Sequence, residues 1–236
     1  MTEIEILRYE LNKVDSYPFE LEKADCGISG KGFFPGARGL FEPDDQTLSN
    51  KSIMILGHDF GAKRDYENSI KRGCENQQSL TWGNLNKMLV LFDIDQKQCF
   101  FTNCIMGVRV SGESALGRTI AYKYPDYLTD CKDLLIKQIA IQKPKLIIAL
   151  GLNILDFLSS LSPKLSKLTK IKSFKILDDK KLAFFNEIEF VGLLNYKTNL
   201  VIITHPTYWH LNVKHRNHDG LKGLDAEKKL IKQSIY

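Results

Sequence analysis

The chain has no closely spaced cysteine pair. Its five cysteines, Cys26, Cys74, Cys99, Cys104 and Cys131, are scattered and contain no CxxC, which argues against a disulfide framework and against a simple zinc module. They read as core or reduced surface thiols. No apolar run approaches the ~18 residues that a membrane span needs. The opening MTEIEILRYELNK carries acidic residues where a signal peptide would have a basic start and an apolar run, so the cytoplasm is the expected location. There is no internal repeat and no low-complexity tract. The charge balance is also unremarkable: a formal net charge of +5 permits a polyanionic partner without requiring one. What remains is an ordinary composition, 236 residues with 43% hydrophobic and 26% charged, enough for one substantial core and a single domain over 1–236.

Apolar residues at three- and four-residue intervals, Ile4, Leu7, Leu11 and Val14, predict a helix near the start. Residues 15–50 differ: Gly27, Gly30, Gly32, Pro35, Gly36, Gly39 and Pro43 interrupt any period, so KGFFPGARG reads as a long loop. Residues 1–50 thus form an N-terminal helix and loop extension. IMILG over 53–57 is a buried strand running into His58 and Asp59, and Lys63, Arg64, Lys71 and Arg72 follow as a basic segment, either a phosphate contact or a solvated loop. Helices are predicted at TWGNLNKMLVLF and from about 127 to 143, the latter stopping before Pro144. QCFFTNC, KLIIALG and NLVIITHP supply three more buried strands, ending near Asn103, Gly151 and His205. Residues 152–159 suggest a short helix, 163–181 a Lys-rich surface excursion, 182–194 one or two strands, and the segment after Gly223 a closing helix. Short apolar runs alternating with helices indicate a parallel sheet wrapped by helices.

Parallel strands present their carboxyl ends on one edge, where open α/β sheets bind ligands, so residues about 150 positions apart can converge there. His58 and Asp59, Asn103, and His205 are the candidates. A carboxylate can orient or activate water, an amide presents a donor and an acceptor together, and a histidine can hold developing negative charge or move a proton.

GHDFG after the first strand, FFTN at the second, CKDLLIKQIAIQKPKLIIALG, and THPTYWH after the last resemble, in order and spacing, the uracil-DNA glycosylase superfamily over roughly 52–212. The resemblance implies a three-layer α/β/α sandwich with a central, mainly parallel four-stranded sheet and a pocket at the strands' carboxyl ends. It implies cofactor-free hydrolysis of the bond between base and deoxyribose, with the target nucleotide flipped into that pocket. Asp59 then matches the water-activating carboxylate of members whose first motif reads GQDPYH, and it would also stabilise the cationic sugar. Asn103 matches the asparagine that reads the base edge, and His205 the histidine beside the pyrimidine O2. Backbone N–H groups of residues 57–61, Gly57 included, would add fixed donors, and His58, Phe60 and Trp82 would complete the base site. The chain would act on DNA as a monomer, in base-excision repair, with no metal and no cofactor.

Departures from the family pattern matter. Gly61 stands where GQDPYH members carry a tyrosine that excludes thymine's methyl group, so uracil is only the default substrate and 5-substituted pyrimidines have room. The iron–sulfur branch needs four cysteines, including a close N-terminal pair, and only Cys26 lies there. For DNA contact, Tyr208 and Trp209 occupy the place of the wedge that enters the base stack. Arg109, Arg118, Lys214, His215, Arg216 and His218 are candidates for phosphate contacts. His205, His210, His215 and His218 fall within fourteen residues but match no standard zinc spacing. The rival reading is a catalytically silent nucleic-acid-binding or interaction protein with the same fold.

Overall fold

A computed structural model describes residues 1–42, 47–110 and 117–235; Pro43, assigned above to the N-terminal loop, lies outside them. In chain order the elements are α1 (Glu3–Asn12), β1 (Leu21–Lys23), β2 (Ile53–Gly57), α2 (Lys63–Arg72), α3 (Leu80–Leu91), β3 (Cys99–Asn103), β4 (Gly107–Arg109), α4 (Pro125–Gln142) and β5 (Leu146–Leu150). They continue with α5 (Leu155–Ser159), α6 (Phe174–Asp179), β6 (Phe184–Ile188), β7 (Thr198–Ile203), α7 (Trp209–Asn212), β8 (Asn217–His218), β9 (Leu221–Lys222) and α8 (Gly223–Ile235).

The central sheet has the order β3-β2-β5-β7-β6. The first four strands are mutually parallel, and β6 pairs antiparallel with β7 at the edge. Every residue of β2, β3 and β5 is buried, so both faces are covered, as an α/β/α sandwich requires. The sheet therefore has five strands where the sequence indicated four. The fifth, β6, falls in the 182–194 segment expected to hold one or two strands; it joins the central sheet as a half-exposed edge strand with a register shift between Phe185 and Ile188.

Local chemistry explains the main helices. Thr2 and Glu5 form a reciprocal capping box at the start of α1. Ser79 caps α3 by accepting from the Trp82 N–H. Pro125 opens α4, and Lys143, in the left-handed region at φ 50°, closes it before Pro144. Residues 63–72 form α2 rather than a basic loop; only Tyr66 and Ser69 are buried on it, too few to leave a periodic apolar stripe in the sequence. The Lys-rich segment folds as a 3-10 helix over Pro163–Lys170 followed by α6, with Leu165, Leu168 and Leu177 buried.

The glycine-rich N-terminal loop is tied to the sheet. Phe34 donates its N–H to the Phe101 carbonyl and accepts from the Asn103 N–H, while Phe101 donates to the Gly39 carbonyl. This covers the free edge of β3, which would otherwise expose a row of unpaired backbone groups. Ile4, Leu7, Leu11, Phe33, Phe34 and Leu40 belong to the same hydrophobic cluster as the strands.

Candidate functional site

A cleft of about 1180 Å³ opens at the carboxyl ends of β2, β3, β5 and β7, and Gly57, His58, Asp59, Asn103, Gly151 and His205 all line it. Strand register puts Gly57 directly beside Asn103. A Cβ on Gly57 would stand 2.2 Å from the Asn103 Oδ1, so the amide reaches this position only because residue 57 has no side chain. Among the described residues Asn103 makes no side-chain hydrogen bond, which leaves its donor and acceptor for a ligand.

His205 follows β7, and its Nδ1 accepts the Thr207 N–H at 3.2 Å. A neutral ring with that acceptor carries its proton on Nε2. Burial, reinforced by nearby His58, pushes the His205 pKa down to about 4, so at neutral pH the ring presents an uncharged N–H donor. Its backing is close-fitted. Gly151 has φ 85°, and a Cβ there would lie 2.9 Å from the His205 Cβ. The segment after His205 is pinned by α3: Asn84 Nδ2 donates to the Pro206 carbonyl at 2.8 Å, and the Thr81 and Thr207 hydroxyls meet at 2.7 Å.

Asp59 is held from two sides. Arg109 donates to its Oδ2 from Nε at 3.0 Å and from Nη2 at 2.6 Å, and the Gly61 N–H donates to Oδ1 at 3.0 Å. The Arg109 side chain is 1% exposed and that of Asp59 7%. Arg109 therefore does not contact a DNA backbone, contrary to the sequence reading; its guanidinium is spent on Asp59 and on the Gly117 carbonyl at 2.9 Å. Both carboxylate oxygens are thus engaged by fixed donors, which set the orientation of Asp59 at the cleft.

His58 does not lie at the cleft mouth. Its ring is buried and stacked near Tyr122, with centroids 5.9 Å apart, and its Nδ1 is 3.5 Å from the Asp59 Oδ2. Its Nε2 is enclosed without a partner among the described residues, and burial lowers its pKa. An imidazole turned inward cannot meet a base through that nitrogen. Trp82 is likewise no free stacking platform: it is 2% exposed and packed on Phe33 and Phe101 at 5.3 and 5.2 Å. Phe60 is half-buried on the cleft wall, edge-on to Tyr66 at 6.2 Å.

The expected DNA-facing residues divide. Tyr208 is 37% exposed on the cleft rim, whereas Trp209 is half-buried against the core with its Nε1 enclosed. Lys214 is exposed. Arg216 is not: its side chain is 0% exposed, paired with Asp178 at 3.0 Å and with Glu227 at 2.8 Å. Glu227 also accepts the Thr204 N–H at 2.7 Å, so Arg216 braces the end of β7 from inside. Arg118 pairs with Asp156 at 2.7 Å and lies over the Tyr122 ring.

Other residues lining the cleft were not singled out from the sequence. Phe33 comes from the N-terminal loop, Glu75 from the turn after α2, Lys172 from the segment before α6 and Lys175 from the first turn of α6. The two lysines are exposed on the rim with Arg72 and His215. The Lys-rich composition of 163–181 was the only signal for the lysines, and nothing local marked Glu75. Among the described residues no group of three or more His, Cys, Asp or Glu side chains is placed to hold a metal ion, and no helix is long and apolar enough to cross a membrane.

The family model described as Uracil DNA glycosylase superfamily matches residues 46–228. No curated protein matches the sequence.

Proposed function

The chain belongs to the uracil-DNA glycosylase superfamily, and from that premise we propose that it is a monofunctional DNA glycosylase that extrudes a uracil or other altered base and hydrolyses its N-glycosidic bond. The observation that supports this reading best is the convergence of Asp59, Asn103 and His205, from three strand ends, on one cleft. Asn103 pairs with the edge of the flipped base. As the bond between C1′ and the base breaks, its electron pair moves into the base, and the His205 Nε2–H donates to the oxygen where that charge gathers. Asp59, held in place by Arg109, faces the cationic sugar and stabilises it. Water then adds at C1′ and releases its proton to solvent.

Phe33 and Phe60 give the base site aromatic walls, and Gly61, with φ 72°, leaves it open toward a substituent on C5 of a pyrimidine. Around the cleft, Arg72, Lys172, Lys175, Lys214 and His215 supply phosphate contacts. Tyr208 is the wedge that replaces the extruded base in the stack. The enzyme works as a monomer on DNA.

The test is a panel of oligonucleotides bearing uracil, hypoxanthine, xanthine or 5-substituted pyrimidines, scored for strand breaks after alkali. Base release from at least one member is expected, with Asp59→Asn and His205→Ala slowing release far more than they weaken DNA binding. Release that is absent throughout, or untouched by both substitutions, would instead favour a silent DNA-binding protein.

A further inference from the structure

Glu75 lies in the turn between α2 and α3, and its carboxylate has an unusual setting. Oε1 accepts the backbone N–H of Phe33 at 2.7 Å, and Oε2 accepts the Trp82 Nε1–H at 2.6 Å. Both donors are neutral, and among the described residues no cation pairs with this carboxylate. Its approach to Phe33 depends on Gly32, where a Cβ would stand 2.9 Å from Oε1. The backbone secures the same contact from outside, with the Glu75 N–H donating to the Lys31 carbonyl at 2.9 Å.

The two residues it holds, Phe33 through its backbone and Trp82 through its indole, build one wall of the cleft. Phe33 and Trp82 lie 5.3 Å apart, both against Phe101, and Phe33, Trp82 and Glu75 all line the cleft. The tip of the Phe33 ring comes within 3.5 Å of the place a Gly57 Cβ would occupy, beside the Asn103 amide. A shift of Phe33 would therefore move the wall against the very group that reads the base edge.

We propose that Glu75 is a positioning residue for base recognition: its carboxylate clamps the Phe33 backbone and the Trp82 indole and so fixes the aromatic wall beside Asn103. The proposal rests on the glycosylase reading for its consequence, but the clamp itself does not. A purely structural purpose would be better served by a neutral acceptor, because an unpaired carboxylate is costly to bury. Burial pushes the Glu75 pKa up to about 7, against the two hydrogen bonds that favour the charged form. The neighbouring cations are turned elsewhere: Lys31 lies over the Phe41 ring, and Arg72 stands on the rim. The carboxylate is thus a full double acceptor above about pH 7 and a weaker one below it.

Two measurements test this on the full chain. In a tryptophan-fluorescence titration from pH 5.5 to 8.5, the wild type should show a transition centred near 7 that Glu75→Gln abolishes. With whichever oligonucleotide is cleaved, the wild-type KM should rise on the order of tenfold as pH falls across that transition, one charge-assisted hydrogen bond being worth about that factor, while kcat changes less. Glu75→Gln should hold the higher KM at every pH. Trp82→Phe keeps an aromatic ring but removes one donor to the carboxylate, so its KM transition should move to higher pH; this variant carries the test if Glu75→Gln folds poorly. A wild type without the fluorescence transition, or a Glu75→Gln protein that keeps the wild-type KM profile, overturns the proposal. If no oligonucleotide is cleaved and the Glu75-dependent transition is present, the clamp stands and only the glycosylase reading falls.

Discussion

Replacing Arg109 with methionine should destabilise the protein severely, even though the sequence alone would class this arginine as a surface contact. The Arg109–Asp59 pair is made through two nitrogens, at 3.0 and 2.6 Å, and the side chains are 1% and 7% exposed. Removing one partner of a buried pair leaves the other charge uncompensated, at a cost of about 3–5 kcal/mol. The hydrogen bond to the Gly117 carbonyl is lost as well. For a chain of this size each kcal/mol lowers Tm by roughly 2–4 °C, so a fall of about 6–20 °C is expected. Adding Asp59→Asn to Arg109→Met should recover part of that loss, because the unpaired charge is then gone. A double-mutant cycle by urea unfolding should accordingly give a coupling of about 2 kcal/mol or more. If Arg109→Met costs under about 1 kcal/mol, or if the two substitutions simply add, the pair is not the buried, interdependent unit described here.

Three further outcomes follow from the same site. Burial holds His205 near a pKa of about 4 against the ordinary 6.5, so the unfolded chain takes up the proton first as pH falls. Relative to His205→Phe, the wild type should lose stability between pH 6.5 and 4, with a difference that does not vary with pH above that window; an unchanged difference across it would mean the ring is not held neutral. Gly151→Ala should lower kcat on the order of tenfold by pressing on His205, and cost about 1–2 kcal/mol for a non-glycine residue in the left-handed region; a variant with wild-type kcat would show that His205 is not so tightly backed. Lys172→Ala combined with Lys175→Ala should reduce the slope of log K against log salt by about 1 per lost phosphate contact, measured by fluorescence anisotropy with duplex DNA, and an unaltered slope would place the DNA elsewhere.

Much of the scaffold was legible in the chain because burial on both faces writes itself as continuous apolar runs. IMILG, CFFTN, LIIAL and TNLVII each became a parallel strand, and residues at or just beyond their ends, Asn103, Asp59 and His205, meet at one cleft. Helix α2 was missed for a corresponding reason: it buries only two residues and carries no clear period. β6, a half-exposed edge, lies in the segment read as one or two strands but was not counted into the central sheet.

The positive charges were the least legible feature. Arg109, Arg216, Lys172 and Lys175 look alike as letters, yet two are sealed inside and two stand on the rim. The difference depends on carboxylates distant in sequence: Asp59 for Arg109, and Asp178 with Glu227 for Arg216. Glu75 shows the same dependence in reverse, an isolated acid whose chemistry comes from Phe33 and Trp82 folding against it. The sequence by itself determined the α/β architecture, the family and the strand ends where chemistry gathers, since hydrophobic pattern and motif order are local properties of the chain. Only the tertiary structure decided which charges stand on the cleft rim and which are sealed inside, which tautomer His205 presents and how Phe33 and Trp82 are held, because burial and partnership arise when distant segments meet.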